Sequence, residues 1–424
     1  MINKLGQLHI KKRSLPQWLA ASVFILPFLL SFLIEFLKIP DFVKYTIDLA
    51  WVGLFVILFV CKQIRVKKEI APFVIFIGIW LLYVIVGYIF NYQSPFYFLW
   101  GIRNNFRFYV AFIAYTTFLD KDDISSSLKI VDGLFWVNMV VSFVQFFILG
   151  YQQDYLGGIF GVGRGCNAYS SVLFAFVVSK SLLQYFNGKE KSWLCFLKCG
   201  VSLILAAMAE LKFYFVLFIL MVIIAMIMTK FSWRQLLTFV LVAIMTMFAG
   251  SLLTIIFGEN NQLSLETIFE LTTSENYAST QDLGRISAIP ILSKKILTQW
   301  YERLFGMGIG NCDTSAFAIC NTPFFQRYEY LHYSWFSSAF LFLETGYVGL
   351  LLNLSFYVLI IIFSIKQINK KENEPIYCKM AIIFAIICII LTFYNSALRK
   401  EVGYIAYFVL ALPFIVNKSS ISKN

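Results

Sequence analysis

The stretch "GENNQLSLETIFELTTSENYASTQDLGRISAIPILSKKILTQWYERLFGMGIGNCDTSAFAICNTPFFQRYEYLHY", residues 258–333, decides the reading of this chain. It is the only long interval that cannot sit in a lipid core. Before it the sequence is one apolar span after another, and after it the pattern resumes with "FLETGYVG" (342–349). The interval holds Gly284-Arg285, the glycine-rich run "FGMGIGNC" (305–312), two cysteines and His332, the one histidine besides His9.

Composition sets the class around it. The chain is 60% hydrophobic and 14% charged, with mean hydropathy +0.76. Soluble domains carry about 25% charged residues, so this composition specifies an integral membrane protein. Its apolar runs are continuous rather than alternating, which excludes a membrane β-barrel and predicts an all-α fold. Spans are expected near 18–37, 46–62, 71–90, 106–119, 131–150, 168–187, 193–209, 213–229 and 235–257, then 334–364, 376–394 and 401–417. Twelve helices of about 20 residues each suit a bilayer. The organisation is nine spans in 1–257, a large external loop at 258–333, and three spans with a tail in 334–424. The 334–364 interval is overlong, which predicts a tilted helix or one that begins at the interface.

Twelve spans place both termini on one side. Of the 35 Lys and Arg, 22 fall on the side of the termini and 13 on the other, five of these in the long loop. Positive charge marks the cytoplasmic side, so the termini are expected in the cytoplasm and the 258–333 loop outside. The net charge of +12 is then an orientation signal, not a nucleic-acid footprint. Eight cysteines show no CxxC pair and no metal spacing; Cys312 and Cys320 in the loop leave room for an external disulfide.

The arginines run against this charge rule. Seven of ten are expected to face outward: Arg103, Arg107, Arg164, Arg285, Arg303, Arg327 and Arg399. Lysine suffices as a point charge, whereas the planar guanidinium grips phosphate in two places. Arg103 and Arg107 in "LWGIRNNFRFYV" share a helix face at four-residue spacing. Arg164 stands in "IFGVGRGCNAYS", where glycines let backbone approach a ligand. Glu210 and Lys212 occupy the tight turn "AMAELKFYF", and Arg399 follows "YNSAL". Each alone reads equally as a snorkelling or ion-paired interfacial residue. Five connections each supplying anchored charge point instead to convergence on an anionic lipid head, above all a diphosphate.

The "GVGRG" and "GMGIG" runs lack the strand and the Lys-Ser/Thr of a nucleotide loop and read as turns at a membrane surface. Within the loop, "RISAIPILSKKILTQW" spaces Ile289, Leu292, Ile296 and Trp300 for an amphipathic helix. Such a helix lies on the outer leaflet or packs on the bundle. His332, in "YEYLHYSWF", stands where the loop meets the next span; an imidazole there can take a proton from a hydroxyl.

These features resemble the bacterial O-antigen polymerase and O-antigen ligase superfamily. The resemblance rests on the twelve spans, the large outward loop late in the chain, Gly284-Arg285, "LFGMGIGN", His332 and then "ETGYVG", with "AELKFY" like a turn of the polymerase branch. His332 is followed by Tyr333 rather than the Asn usual in ligases, which favours the polymerase branch. The resemblance implies metal-independent, cofactor-free, inverting glycosyl transfer between undecaprenyl-diphosphate-linked oligosaccharides at the outer face of the bacterial cytoplasmic membrane, for O-antigen, lipopolysaccharide or capsule. It assigns leaving-group stabilisation to Arg164, Arg285 and Arg399, lipid-head binding to Arg103 and Arg107, and the base to His332, with Glu344 or Glu210 as substitutes. Partners expected on the same ground are membrane lipid, a chain-length regulator and a flippase, and no nucleic acid. A ligase, or a lipid-linked oligosaccharide flippase, is the rival function; a transporter would show inverted repeats or charges at mid-membrane, and only Asp48 lies plausibly deep.

Overall fold

A computed structural model describes residues 14–60, 69–258, 269, 273–274, 282–314, 321–368 and 374–421. Among them the chain is helical, with no strand. The helices are α1 (Leu15–Leu37), α2 (Thr46–Phe55, continued by a π-helical turn to Val60), α3 (Ala71–Phe90), α4 (Pro95–Phe118), α5 (Lys121–Phe143), α6 (Asn167–Phe186), α7 (Ser192–Met208), α8 (Lys212–Ile227) and α9 (Trp233–Phe257). The loop adds short helices α10 (Ala288–Lys295), α11 (Trp300–Phe305) and α12 (Pro323–Tyr328), before α13 (Ser337–Ile368), α14 (Pro375–Tyr394) and α15 (Gly403–Ile421). A helix overlies each apolar interval of the sequence. Seven are long and apolar enough to cross a membrane, and α7, α8 and α15 are shorter apolar helices. Helices satisfy their own backbone polar groups, which is what a hydrocarbon solvent demands.

Local chemistry sets the boundaries. Asp120 caps α5 by accepting from the backbone N–H of Asp122 and Asp123 at 3.0 and 3.1 Å. Prolines open α1, α3, α4 and α14, where a missing N–H costs nothing. The outward face of α9 exposes Phe239, Ile244, Met247 and Ile255, as a surface meeting lipid does.

The overlong span has a different cause from the tilt expected. Gly346, at φ 63°, breaks α13 in its first third. The segment Ser337–Thr345 is wholly buried rather than interfacial. It carries a second hydrophobic core, in which Phe336, Ala339, Phe340 and Leu343 pack against Leu283, Ala288, Leu292 and Leu297 of the loop. The helix read from "RISAIPILSKKILTQW" therefore packs on the bundle and ends at Lys295, with Trp300 exposed on α11.

The glycine run 306–310 explains how the loop is held. Gly306, Gly308 and Gly310 all have left-handed φ. A Cβ on Gly306 would lie 2.4 Å from the Glu344 carbonyl carbon, and one on Gly310 would lie 2.0 Å from the Tyr97 oxygen. Met307 and Gly308 donate their N–H to the carbonyls of Leu343 and Glu344 at 2.7 and 3.1 Å, which pins the run across the break in α13. These glycines serve close backbone packing. Cys312 is buried as a free thiol; Cys320, and with it the disulfide considered from sequence, lies outside the described residues.

Candidate functional site

The connections bearing Arg164, Arg285 and Arg399 meet at one end of the bundle, at the start of α13. The loop closes there at its base: Leu283 N–H donates to the Leu331 carbonyl at 3.2 Å. That contact brings Asp282 beside His332, fifty residues on, with Asp282 Oδ1 2.6 Å from His332 Nδ1. Asp282 is 4% exposed, while the His332 side chain is 40% exposed, so the imidazole is held from behind and open in front. His332 has φ 51°, a left-handed conformation that a non-glycine residue adopts only where its surroundings enforce it. Its ring stacks on Trp335 at 4.0 Å and 18°.

Three arginines from three connections reach the same short segment. The Arg164 guanidinium lies 5.1 Å from the Trp335 ring. Arg285 lies 4.1 Å over Tyr394 and 6.0 Å from Phe336, and Arg399 lies 3.1 Å over Phe340. Tyr394 also stacks on Phe213 at 3.8 Å and 10°, so its ring is sandwiched between Arg285 and the start of α8. Ring faces attract a cation without neutralising it. Arg164 is exposed and makes no ion pair or hydrogen bond among the described residues. Arg399 is 3.8 Å from Asp313; burial pushes its pKa below the ordinary value, against the pull of Asp313 and Glu344.

Arg164 is placed by a turn that dips into the bundle. Gln145 clamps Gly158 from both sides, donating to its carbonyl at 2.9 Å and accepting from its N–H at 2.7 Å. Asn138 accepts from Ile159 N–H at 2.9 Å, and Ser170 donates to the Gly157 carbonyl at 2.8 Å. Gly158 at φ 60° lets this turn form. At the start of α6, Asn167 donates to the Ala209 carbonyl at 3.0 Å, tying Arg164 to the Glu210–Lys212 turn. Glu210 and Lys212 pair with each other at 3.4 Å.

Arg103 and Arg107 do not reach this segment. Arg103 makes a two-pronged pair with Asp48, at 3.0 and 2.6 Å. Arg107, 3% exposed, pairs with Glu401 at 3.3 Å and donates to the Arg399 carbonyl at 3.0 Å. Burial pushes the Glu401 carboxyl up, but Arg107 and Lys400 outweigh it and hold the group down at about 2. Arg107 thus braces the Arg399 corner, and Arg103 is held on Asp48. Glu344 is likewise committed: it is 1% exposed and accepts from Gly310 N–H at 2.8 Å. Asn104, on the same turn of α4, donates to Asp313. Arg303 donates to the Ser293 and Leu297 carbonyls at 3.1 and 3.0 Å and so joins α10 to α11.

Sequence reasoning passed over Asp282, Asp313, Asn138, Gln145 and Glu401. For Asp282 a signal was present, since it stands three residues before Arg285 at the mouth of the loop. Toward the other end of α6, Lys180 lies beside Lys198 of α7. Both are 3% exposed and share Asp132, and Lys198 also pairs with Glu190 at 2.6 Å.

What the site offers chemically is an open imidazole with a carboxylate behind it, and cationic groups seated on rings beside it. No protein-family model matches this chain, and no curated protein is significantly similar to it in sequence.

Proposed function

We propose that this chain is a polymerase of polyprenyl-diphosphate-linked oligosaccharide repeat units, forming a surface polysaccharide by inverting glycosyl transfer at the outward face of the bacterial cytoplasmic membrane. One observation carries the reading: Arg164, Arg285 and Arg399 come from three separate connections to the segment Trp335–Phe340, directly after the His332–Asp282 pair. The motif-level resemblance supplies the substrate class, the twelve-span topology with cytoplasmic termini, and metal independence.

The chemistry follows from the positions. His332 uses Nε2 to take the proton of an acceptor sugar hydroxyl, while Asp282 accepts from Nδ1–H and fixes the tautomer. The hydroxyl oxygen attacks the anomeric carbon of the growing chain, and the bond from that carbon to the lipid diphosphate breaks. Negative charge grows on the departing diphosphate, where Arg164, Arg285 and Arg399 stabilise it. Ring seating keeps these guanidiniums oriented before substrate arrives, so little reorganisation is needed during reaction. Arg107 and Glu344 act one step back, by fixing the Arg399 corner and the glycine run, while Arg103 is held on Asp48.

The test is chain growth by purified protein on a synthetic lipid-diphosphate repeat unit, with chelator present and products resolved by gel. A ladder that is lost in Arg285→Ala and Arg164→Ala is the expected result. Transbilayer movement of the same lipid in vesicles without any ladder would replace the polymerase with a flippase. A single glycan transfer to another acceptor, with no ladder, would indicate a ligase.

A further inference from the structure

Away from the arginines, the bundle carries an apolar groove of about 280 Å³ that the chemistry above does not use. Its volume is near the lower end of ligand pockets, roughly 300–1,000 Å³. One wall is Ile25, Phe28, Leu29 and Phe32 of α1; the other is Ile130, Leu134 and Val137 of α5, closed by Ile159. Positions 25, 28, 29 and 32 share one helix face, as do 130, 134 and 137. Each wall runs over eight residues, about 10 Å of helix, so the groove lies along the helix axes. The turn holding Ile159 packs on both α1 and α5.

That turn joins the groove to the site. Ile159 closes it five residues before Arg164, and the Gln145, Asn138 and Ser170 bonds fix the intervening backbone. Arg164 in turn lies over Trp335, the residue on which His332 stacks. On the α1 side, Glu35 follows one turn after Phe32, and a Cβ on Gly161 would lie 3.0 Å from its Oε2. Glu35 pairs with Lys38 at 4.0 Å. A hydrocarbon chain lying in this groove therefore delivers its headgroup to an exposed guanidinium beside the open imidazole.

We propose that the α1–α5 groove seats the polyprenyl chain of the lipid diphosphate whose head is gripped by Arg164. The inference rests on the functional reading above and assigns where its lipid enters. Lipid tails are as apolar as the groove, so what the groove adds is close packing of the tail along a fixed direction rather than transfer out of water, and the head adds charge. Charge complementarity favours a diphosphate over a neutral lipid.

The experiment uses the full chain in detergent and undecaprenyl diphosphate without sugar, carrying a diazirine on its isoprenoid tail. Photolysis is expected to label peptides containing residues 25–32 and 130–137; labels confined to other helices would overturn the proposal. By native mass spectrometry, Leu134→Trp should retain this lipid about tenfold less than wild type, yet retain ten-carbon geranyl diphosphate unchanged. Arg164→Ala should weaken both. Unchanged retention of the long-chain lipid by Leu134→Trp, or equal retention of phosphatidylglycerol by the wild type, would refute the assignment. Should Leu134→Trp not fold, the labelling pattern of the wild type decides alone. Labelled groove peptides in a protein that makes no ladder would keep the groove and sink the polymerase. A ladder from a protein labelled elsewhere would do the reverse.

Discussion

Replacing Asp282 with Asn tests the proposed base directly. Asp282 Oδ1 and His332 Nδ1 are 2.6 Å apart, the carboxylate is 4% exposed, and the His332 side chain is 40% exposed. When His332 accepts a proton, the Asp282 bond becomes an ion pair with a cation, and hydrogen bonds to charged groups contribute about 1.5–3 kcal/mol against about 0.5–1.5 for neutral ones. An amide forfeits that difference of about 1–2 kcal/mol in the transition state alone, about 5–30-fold in kcat. If the introduced amide donates its own N–H to Nδ1 the tautomer reverses, and the loss grows toward the roughly 10⁴-fold cost of a wrong tautomer. The assay is single-turnover elongation of a lipid-linked repeat unit, run on the wild type, Asp282→Asn, His332→Ala and the double variant. In the proposed role Asp282 affects the chemical step through His332, so the double variant should be no slower than His332→Ala. Elongation by Asp282→Asn within twofold of wild type, or additive losses in the double variant, would refute the pairing as a catalytic device.

Three further outcomes follow from the geometry. Arg164→Lys keeps the charge but loses the planar contact with Trp335, so kcat/KM should fall about tenfold, and Arg164→Ala about 10²–10³-fold, as for other donors to a developing anion; equal rates for Lys and Arg would show that a point charge suffices. Gly310→Ala sets a Cβ 2.0 Å from the Tyr97 oxygen at φ 86°, so thermal unfolding in detergent should show more than about 3 kcal/mol of destabilisation, whereas exposed Gly163, with nothing within 4 Å of its Cβ, should accept Ala. Glu401 is held down at about 2 by Arg107 and Lys400, so its contribution is full above the ordinary carboxylate range and is lost as pH falls from about 4.5 toward 2; Glu401→Gln should remove that acid-side decline and cost about 3–5 kcal/mol at neutral pH by leaving Arg107 buried and unpaired.

The helices were legible because hydrocarbon imposes one rule on every span, and long apolar runs state it directly. The loop's base was legible in part: Arg285, His332 and Arg399 stood out by residue type at helix ends. Their partners did not. Asp48 with Arg103, Glu401 with Arg107 and Asp282 with His332 are separated by 55, 294 and 50 residues, and no local period encodes such pairs. The spacing of Arg103 and Arg107 placed them on one helix correctly, yet said nothing of the carboxylates that claim them. The break in α13 was hidden for another reason. Gly346 inside an apolar run reads as tolerable helix, and only the approach of Leu304, whose oxygen would lie 2.2 Å from a Cβ there, shows why the position must be Gly.

The division among Arg103, Arg107 and Arg164 bears on the proposed mechanism. A guanidinium in close contact with a carboxylate has its attraction largely satisfied; bringing a diphosphate to Arg103 or Arg107 would mean breaking an ion pair formed at 2.6 or 3.3 Å, in Arg107 a deeply buried one, whereas Asp313 stands off Arg399 at 3.8 Å. Arg164 lies against a ring, which orients it while leaving its N–H donors for a ligand. The same segment holds His332 in a left-handed conformation directly before the turn that ends at Trp335, so His332 and the ring that seats Arg164 are set by adjacent turns of one backbone. Their separation is thus set by the fold rather than by substrate. In the proposed reaction the attacking hydroxyl and the leaving diphosphate need partners held at a fixed separation, and Trp335 seats both of them, His332 and Arg164, on a single rigid side chain. Trp335→Ala should therefore lose more activity than the loss of packing at either neighbour explains, while its binding of the sugar-free lipid falls no further than that of Arg164→Ala.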